Sequence, residues 1–241
     1  MDHPPVGFGP TSPVDRKGQC AVTSTTVVAM DGPSGSGKSS TSRGVATRLG
    51  LRYLDTGAQF RAITWWMLRH GVDVDDPAAV AAHAGDPVLK SGTDPQAPTI
   101  TVDGTDVAGP IREQEVTSAV SAVSAVPEIR ARLLREQREI IGAGGIVVEG
   151  RDIGTVVVPD APVKVFLTAE PDARAARRTA ELAGATVEAT QLDLIRRDKA
   201  DSGRAAAPLT MAEDAHHIDT TPFTLDEVID QVVTLVEKAQ G

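Results

Sequence analysis

Residues 32–39 read Gly32, Pro33, Ser34, Gly35, Ser36, Gly37, Lys38, Ser39, which satisfies G-x-x-x-x-G-K-[ST] at every fixed position. Each residue type has a chemical reason. Glycines let the backbone turn tightly enough for its N–H groups to point at phosphate oxygens. The helix expected to follow presents the positive end of its dipole to the same phosphates, and Ser40 lies in its first turn. Lys38 adds a mobile positive charge for the β and γ groups, and the Ser39 hydroxyl can ligate Mg²⁺. A Gly/Ser-rich turn could carry these letters by chance. The apolar run Thr25–Met30 before the motif and the helical stretch from about Lys38 to Leu49 after it supply the strand–loop–helix setting that phosphate binding requires.

Arginines form the second chemical group. Arg61 lies on a helix after a Thr-Gly turn, Arg151 directly follows the apolar run 146–149, and Arg174, Arg177, Arg178, Arg196, Arg197 and Arg204 crowd one later stretch. A guanidinium donates paired hydrogen bonds to phosphate and keeps its charge. A lone arginine more commonly ends in a surface salt bridge, and a charge run in a solvated helix face. Arg151 stands apart because ligands of α/β sheets bind beyond the carboxyl ends of strands.

The rest of the chain narrows the chemistry. A formal charge of -9 argues against long nucleic acids, which need a basic footprint. With Cys20 alone, neither an intramolecular disulfide nor a cysteine metal site can form. No apolar run approaches the ~20 residues that span a bilayer, so no membrane association and a cytoplasmic setting are expected. The chain holds no asparagine, which removes the Asn-Lys-x-Asp element of guanine-reading switches. A small-molecule kinase remains, and it must bind its acceptor opposite the phosphate loop and exclude water from the transfer region.

The elements that must position these groups follow from periodicity. Residues 1–24 are rich in Pro, Gly, Ser and Thr and read as a flexible tail; the kinase domain is expected over 25–241. Strands are expected at 25–30, 146–149, 163–167 and 215–218, and helices at 58–70, at 111–141 with an interruption near Pro127, at 172–200 and at 225–238. Residues 72–110 read as an inserted unit with short strands around the turn Asp103-Gly104. Alternating strands and helices imply an α/β fold, three layers with a parallel sheet between helices. His216-His217, Asp73, Asp75, Asp76 and Trp65-Trp66 read as inert: strand neighbours facing apart, a turn before a helix, and packing.

Four segments together carry a specific resemblance. Asp31–Lys38, Tyr53-Leu-Asp-Thr-Gly-Ala58 with Arg61, Glu149-Gly-Arg-Asp-Ile-Gly-Thr155 and Arg204-Ala-Ala-Ala-Pro-Leu209 are similar, in order and approximate spacing, to the bacterial-type cytidylate kinases over residues 25–240. The resemblance implies a P-loop nucleoside monophosphate kinase fold with an NMP-binding insert over about 72–110 and an Arg-rich lid over about 172–204. It implies transfer of the γ-phosphoryl group of ATP to CMP or dCMP, with Mg²⁺. A monomer is expected. Lys38, Arg151 and Arg204 would be catalytic; residues 32–40 with Arg177 and Arg178 would hold ATP. Thr56, Arg61, Ser121, Arg130, Arg151, Asp152, Arg197, Asp201 and Arg204 would hold CMP, with Ser121, Arg130 and Asp152 at the base and Arg197 and Asp201 at the ribose. A carboxylate at Asp152 accepts from the exocyclic amine of cytosine and faces the carbonyl of uracil, which favours CMP. Asp31 is expected to orient water on the metal. Phe60 stands where a Tyr is usual and Ala200 where relatives carry an Arg, so a hydroxyl and a lid charge are missing. A kinase for another small acceptor and a nucleotide-binding regulatory module are the alternative readings.

Overall fold

The computed structural model describes residues 25–180 and 186–240. The expected tail, Cys20 and residues 181–185 of the expected lid lie outside the described residues. Five strands form one parallel sheet: β1 (Val27–Asp31), β2 (Arg52–Asp55), β6 (Ile146–Glu149), β7 (Val163–Thr168) and β8 (His216–Asp219), in the order β2-β6-β1-β7-β8. The register aligns Met30 and Asp55 with Glu149, and Asp31 with Phe166. Asp55 and Glu149 therefore stand side by side at the carboxyl ends of adjacent strands, and Asp31, one residue beyond Met30, ends β1 with its side chain on the other face.

Side-chain alternation divides the core into layers. Val28 and Met30 of β1 and Val147 of β6 pack with Val45 of α1 (Lys38–Leu49) and with Val228, Val232 and Val236 of α8 (Leu225–Lys238). Ala29, Ile146 and Val148 point the other way, onto Ile141 of α5 (Pro127–Ile141) and onto Ile153 and Val157 of a π-helical turn at Ile153–Val157. The sheet is covered on both faces, as its continuous apolar strands require.

A second core lies beside the sheet. It joins α2 (Thr56–Arg69), α3 (Pro77–Ala82), α4 (Gln114–Ala125), α5 and a small antiparallel sheet of β3 (Leu89–Ser91), β4 (Ile100–Val102) and β5 (Thr105–Asp106). The short strands expected within 72–110 are present, and β4 and β5 are joined through Asp103-Gly104, both at positive φ (50° and 81°). Ile100 and Val102 pack in the same cluster as Ile63, Val123 and Ile129, so this sheet shares its apolar core with α2, α4 and α5.

Several expected boundaries shift for local reasons. The helical stretch 111–141 is two helices, with Val126 extended between them and Pro127 at the first position of α5. The stretch 172–200 is α6 (Pro171–Ala180) and α7 (Val187–Ser202). Strand β2 was not expected: four residues, Arg-Tyr-Leu-Asp, carry too little pattern, and pairing with β6 makes them a strand. This edge strand is also tied by Arg52, whose guanidinium donates to the carbonyls of Ile140 (2.8 Å), Ile141 (2.9 Å) and Gly144 (2.8 Å) at the end of α5. Arg52→Ala strands those carbonyls and should cost about 2–4 kcal/mol in urea unfolding. A loss under about 0.5 kcal/mol would show that water replaces the guanidinium.

Candidate active site

The phosphate loop spans the turn from β1 to α1. Gly32 has φ 144°, and a Cβ there would stand 2.0 Å from the Leu167 carbonyl oxygen on β7. Gly37, with φ 85°, caps α1 and turns the chain into it. Lys38 is buried, and its ammonium donates to the Pro33 carbonyl at 3.0 Å, closing the loop on itself. The Ser36 hydroxyl donates to the same carbonyl at 3.0 Å. Burial pushes the Lys38 ammonium down, and the Arg151 charge adds to that. Glu149 is pushed up, also by burial first and then by the Asp55 charge.

Glu149 is the hub beneath the loop. Its carboxylate accepts from the Ser39 hydroxyl at 3.0 Å and from the Tyr53 hydroxyl, while its backbone carbonyl accepts from the Thr56 hydroxyl at 2.7 Å. Sequence reasoning did not single out Glu149, Asp55 or Tyr53 as site residues. The available signal was positional: Asp55 and Glu149 both end strands, where α/β ligands bind.

One cavity of about 600 Å³ runs from this loop to the arginines. Of the loop residues, 34–40 line it; Gly32 and Pro33 do not, because they lie behind the turn, against β7 and under Lys38. Thr56, Arg61, Ser121, Arg130, Arg151, Asp152, Arg177, Arg178, Arg197, Asp201 and Arg204 all reach it. Elements far apart in the chain thus bring together every site residue expected from sequence except those two glycine-turn positions.

Carboxylates interleave the guanidinium groups. Asp152 pairs with Arg130. Asp201 accepts from Arg151 Nε at 3.0 Å and lies 3.9 Å from Arg204 Nη1. Arg61 donates to the Ile111 carbonyl (3.0 Å) and the Thr117 hydroxyl (2.9 Å). Burial lowers Arg61 to about 9 and Arg197 to about 10, with neighbouring guanidinium charges adding to it, and both stay charged at neutral pH. Burial raises the Asp152 carboxyl, opposed by Arg130 and Arg204. Arg197 Nε, Arg204 Nε and Arg204 Nη2 are buried without an acceptor. Such donors are costly unless an anion arrives to receive them.

On the other side of the phosphate loop, Arg174 of α6 donates to the Ser34 carbonyl at 2.8 Å and pairs with Asp198 of α7, so both helices rest on the loop. Arg177 donates to the Thr220 hydroxyl (2.8 Å) and carbonyl (2.9 Å) after β8. The exposed side chains of Phe223 and Leu225 line the same end of the cavity. Phe60 lies under the Arg130 guanidinium, 5.4 Å from its ring centroid, so the apolar ring faces a cation in place of the missing hydroxyl.

Asp31 does not serve the role expected for it. Its carboxylate turns to the backbone amides of Ile153 and Gly154, and Asp31 is not among the residues that line the cavity. His216 and His217 lie on β8, and the His217 ring meets the Thr168 hydroxyl. No cluster of three or more His, Cys, Asp or Glu suited to a metal occurs among the described residues, and no described helix is long and apolar enough to cross a membrane.

Comparison with known proteins agrees with this geometry. The cytidylate kinase family profile matches residues 28–238. A cytidylate kinase of Streptomyces avermitilis is 63% identical over 217 residues, covering 89% of this chain and 94% of that one. One from Streptomyces griseus is 64% identical over 216 residues, with the same shares of each chain covered. Among solved structures, an uncharacterized protein from Eubacterium ventriosum shares the fold with a TM-score of 0.50 at 11% identity, covering 88% of this chain and 98% of that one. The P-loop, the strand-end arginines and the extent of the match lead to one conclusion: this chain belongs to the cytidylate kinase family.

Proposed function

We propose that the chain moves the γ-phosphoryl group of ATP to the phosphate of CMP or dCMP, giving ADP with CDP or dCDP, through the residues of the single cavity described above. The carrying observation is the pair of anion sites that face each other across it. One is the amide-lined loop with Lys38. The other is the group of buried arginines, of which Arg197 and Arg204 hold N–H groups without acceptors.

ATP lies with its phosphates against loop residues 34–40 and its base toward Arg177, Arg178, Phe223 and Leu225. Arg61, Arg151 and Arg204 hold the acceptor phosphate; Arg197 and Asp201 hold the ribose; Ser121, Arg130 and Asp152 read the base. Arg130 fixes one face of the Asp152 carboxylate and leaves the other to accept from the cytosine amine. Thr56 borders the acceptor side, its hydroxyl proton committed to Glu149.

Little proton chemistry is required. A phosphate monoester has a second pKa near ~6, so the attacking oxygen is already anionic at neutral pH. It attacks phosphorus in line, the bond to the ADP oxygen breaks, and ADP leaves with that electron pair. Lys38, Arg151 and Arg204 balance the charge that builds on the transferred group, and they are placed before reaction begins. The oxygen donors at the loop, the Ser39 hydroxyl backed by Glu149, suit Mg²⁺, which takes few protein ligands and completes its shell with phosphates and water. When bound there, Mg²⁺ would neutralise phosphate charge. Approach of α6 and α7 over the loop would exclude water.

Lys38→Ala should lower kcat by about 10²–10³-fold while the melting temperature stays near that of the parent, because the loss is one of transition-state charge balance. Near-normal kcat in a coupled ADP-release assay would refute the assignment. Asp152→Ala should erode the CMP-over-UMP ratio of kcat/KM by about 10-fold or more and leave the KM for ATP close to its original value. An unchanged ratio would remove Asp152 from the base pocket. Chelation by EDTA should abolish turnover with CMP, and added Mg²⁺ should restore it; full activity in EDTA would count against the Ser39 site.

A further inference from the structure

Asp31 ends β1 and directly precedes Gly32, the first residue of the phosphate loop. Its side chain is buried and meets the segment that follows β6. Oδ1 accepts from the Ile153 amide at 2.9 Å and Oδ2 from the Gly154 amide at 2.8 Å. These are the two residues that follow Asp152, and they open the π-helical turn. Consecutive amides on the two oxygens of one carboxylate fix how the chain leaves Asp152, because charge-assisted hydrogen bonds are short and directional. The other side of the segment is held too: the Gly150 amide donates to the Met30 carbonyl at 3.0 Å. Arg151 and Asp152 are thus suspended between two anchors, and both anchors belong to the last two residues of β1.

Packing reinforces the second anchor. A Cβ added at Gly154 would crowd Lys164 Cδ at 3.2 Å and meet Asp31 Oδ2 at an ordinary contact distance of 3.5 Å, so the turn packs directly on both side chains. Burial raises the Asp31 carboxyl to about 6, which leaves it ionised at neutral pH, as an acceptor of two N–H groups must be.

We infer that Asp31 is a positioning residue for acceptor recognition: from the donor-side strand it sets the orientation of the segment that presents Asp152 to the pyrimidine. The inference rests on the reading of Asp152 as the group that meets the base. A carboxylate that only stabilised the fold would leave base discrimination untouched in any variant that still folds.

The test measures kcat/KM for CMP and for UMP, and KM for ATP, in the parent chain and in Asp31→Asn, Asp31→Glu and Asp152→Ala. Asp31→Asn keeps the size of the side chain but turns an NH₂ group toward one of the two amides. Its CMP-over-UMP ratio should fall by about 10-fold or more, while KM for ATP changes less than about 3-fold and circular dichroism reports a folded protein. Asp31→Glu keeps the charge and both acceptor oxygens but adds a methylene at a buried position, so it displaces the two amides and should shift the ratio in the same direction. If Asp31→Asn does not fold, Asp31→Glu decides alone. An unchanged ratio in the folded variants overturns the inference, as does equal weakening toward CMP and ATP. If Asp152→Ala also keeps the ratio, the base reader itself is misassigned; if Asp152→Ala loses it and Asp31→Asn keeps it, only the positioning role falls.

Discussion

Like charges gathered out of water repel, and this site gathers an ammonium and several guanidinium groups around one cavity. Two unit charges 4 Å apart interact by about 4 kcal/mol at an effective dielectric constant of ~20, comparable to a large part of a domain's net stability. The chain offsets this repulsion by interleaving carboxylates: Glu149 near Lys38, Asp152 on Arg130, and Asp201 on Arg151. The balance is incomplete by design of the anion sites. Arg197 and Arg204 retain buried N–H groups without acceptors, and incoming phosphate charge relieves both the repulsion and the lost hydrogen bonds. An overall charge of -9 is compatible with such a site because the positive groups converge locally.

The sheet makes that convergence possible. Parallel strands end on the same side, so Asp31, Asp55 and Glu149 arrive together and the loops that follow them share one face. The loop after β1 carries Lys38 and Ser39, the segment after β6 carries Arg151 and Asp152, and α2 begins at the end of β2 with Asp55 accepting from the Ala58 amide as its cap. Both buried faces of the sheet hold these strand ends in register. The second core, of α2 to α5 with the small sheet, brings Arg61 and Arg130 to the cavity. The helices α6 and α7 reach the phosphate loop through Arg174 and bring Arg197 and Asp201 to the cavity.

Specificity and catalysis use the same polar framework in different ways. Arg130 is held from several directions, by Asp152, by the Ser124 carbonyl at 3.1 Å and by the ring of Phe60. A guanidinium so constrained gives the Asp152 carboxylate one orientation, and a fixed acceptor discriminates an amine from a carbonyl better than a mobile one. Near the loop, Glu149 is equally constrained by Tyr53 and Ser39. Buried networks of this kind reward full satisfaction and penalise partial loss, which explains why the carboxylates stand where their burial is costly.

Much of this was legible in the residues themselves. The phosphate loop follows from glycine, lysine and serine at set spacing, because backbone wrapping and anion binding are local properties of that segment. Strands β1, β6 and β7 announce themselves as continuous apolar runs, and Pro127 marks the break between α4 and α5. The resemblance carried by four separated motifs pointed to residues for the acceptor, and all of those residues line one cavity. Strand β2 escaped notice because four residues hold too little periodicity, and only hydrogen bonding to β6 decides their conformation. Asp31 shows the same limit most clearly. Its identity and its place beside the loop suggested a partner for metal-bound water, yet its carboxylate turns to amides more than 120 positions away in the chain. The sequence by itself determined which side chains can bind phosphate and which runs must be buried, since those depend on residue type and near neighbours. Only the tertiary structure decided which carboxylate faces which cation or amide, because burial and directional hydrogen bonds arise between segments that meet only when the sheet assembles.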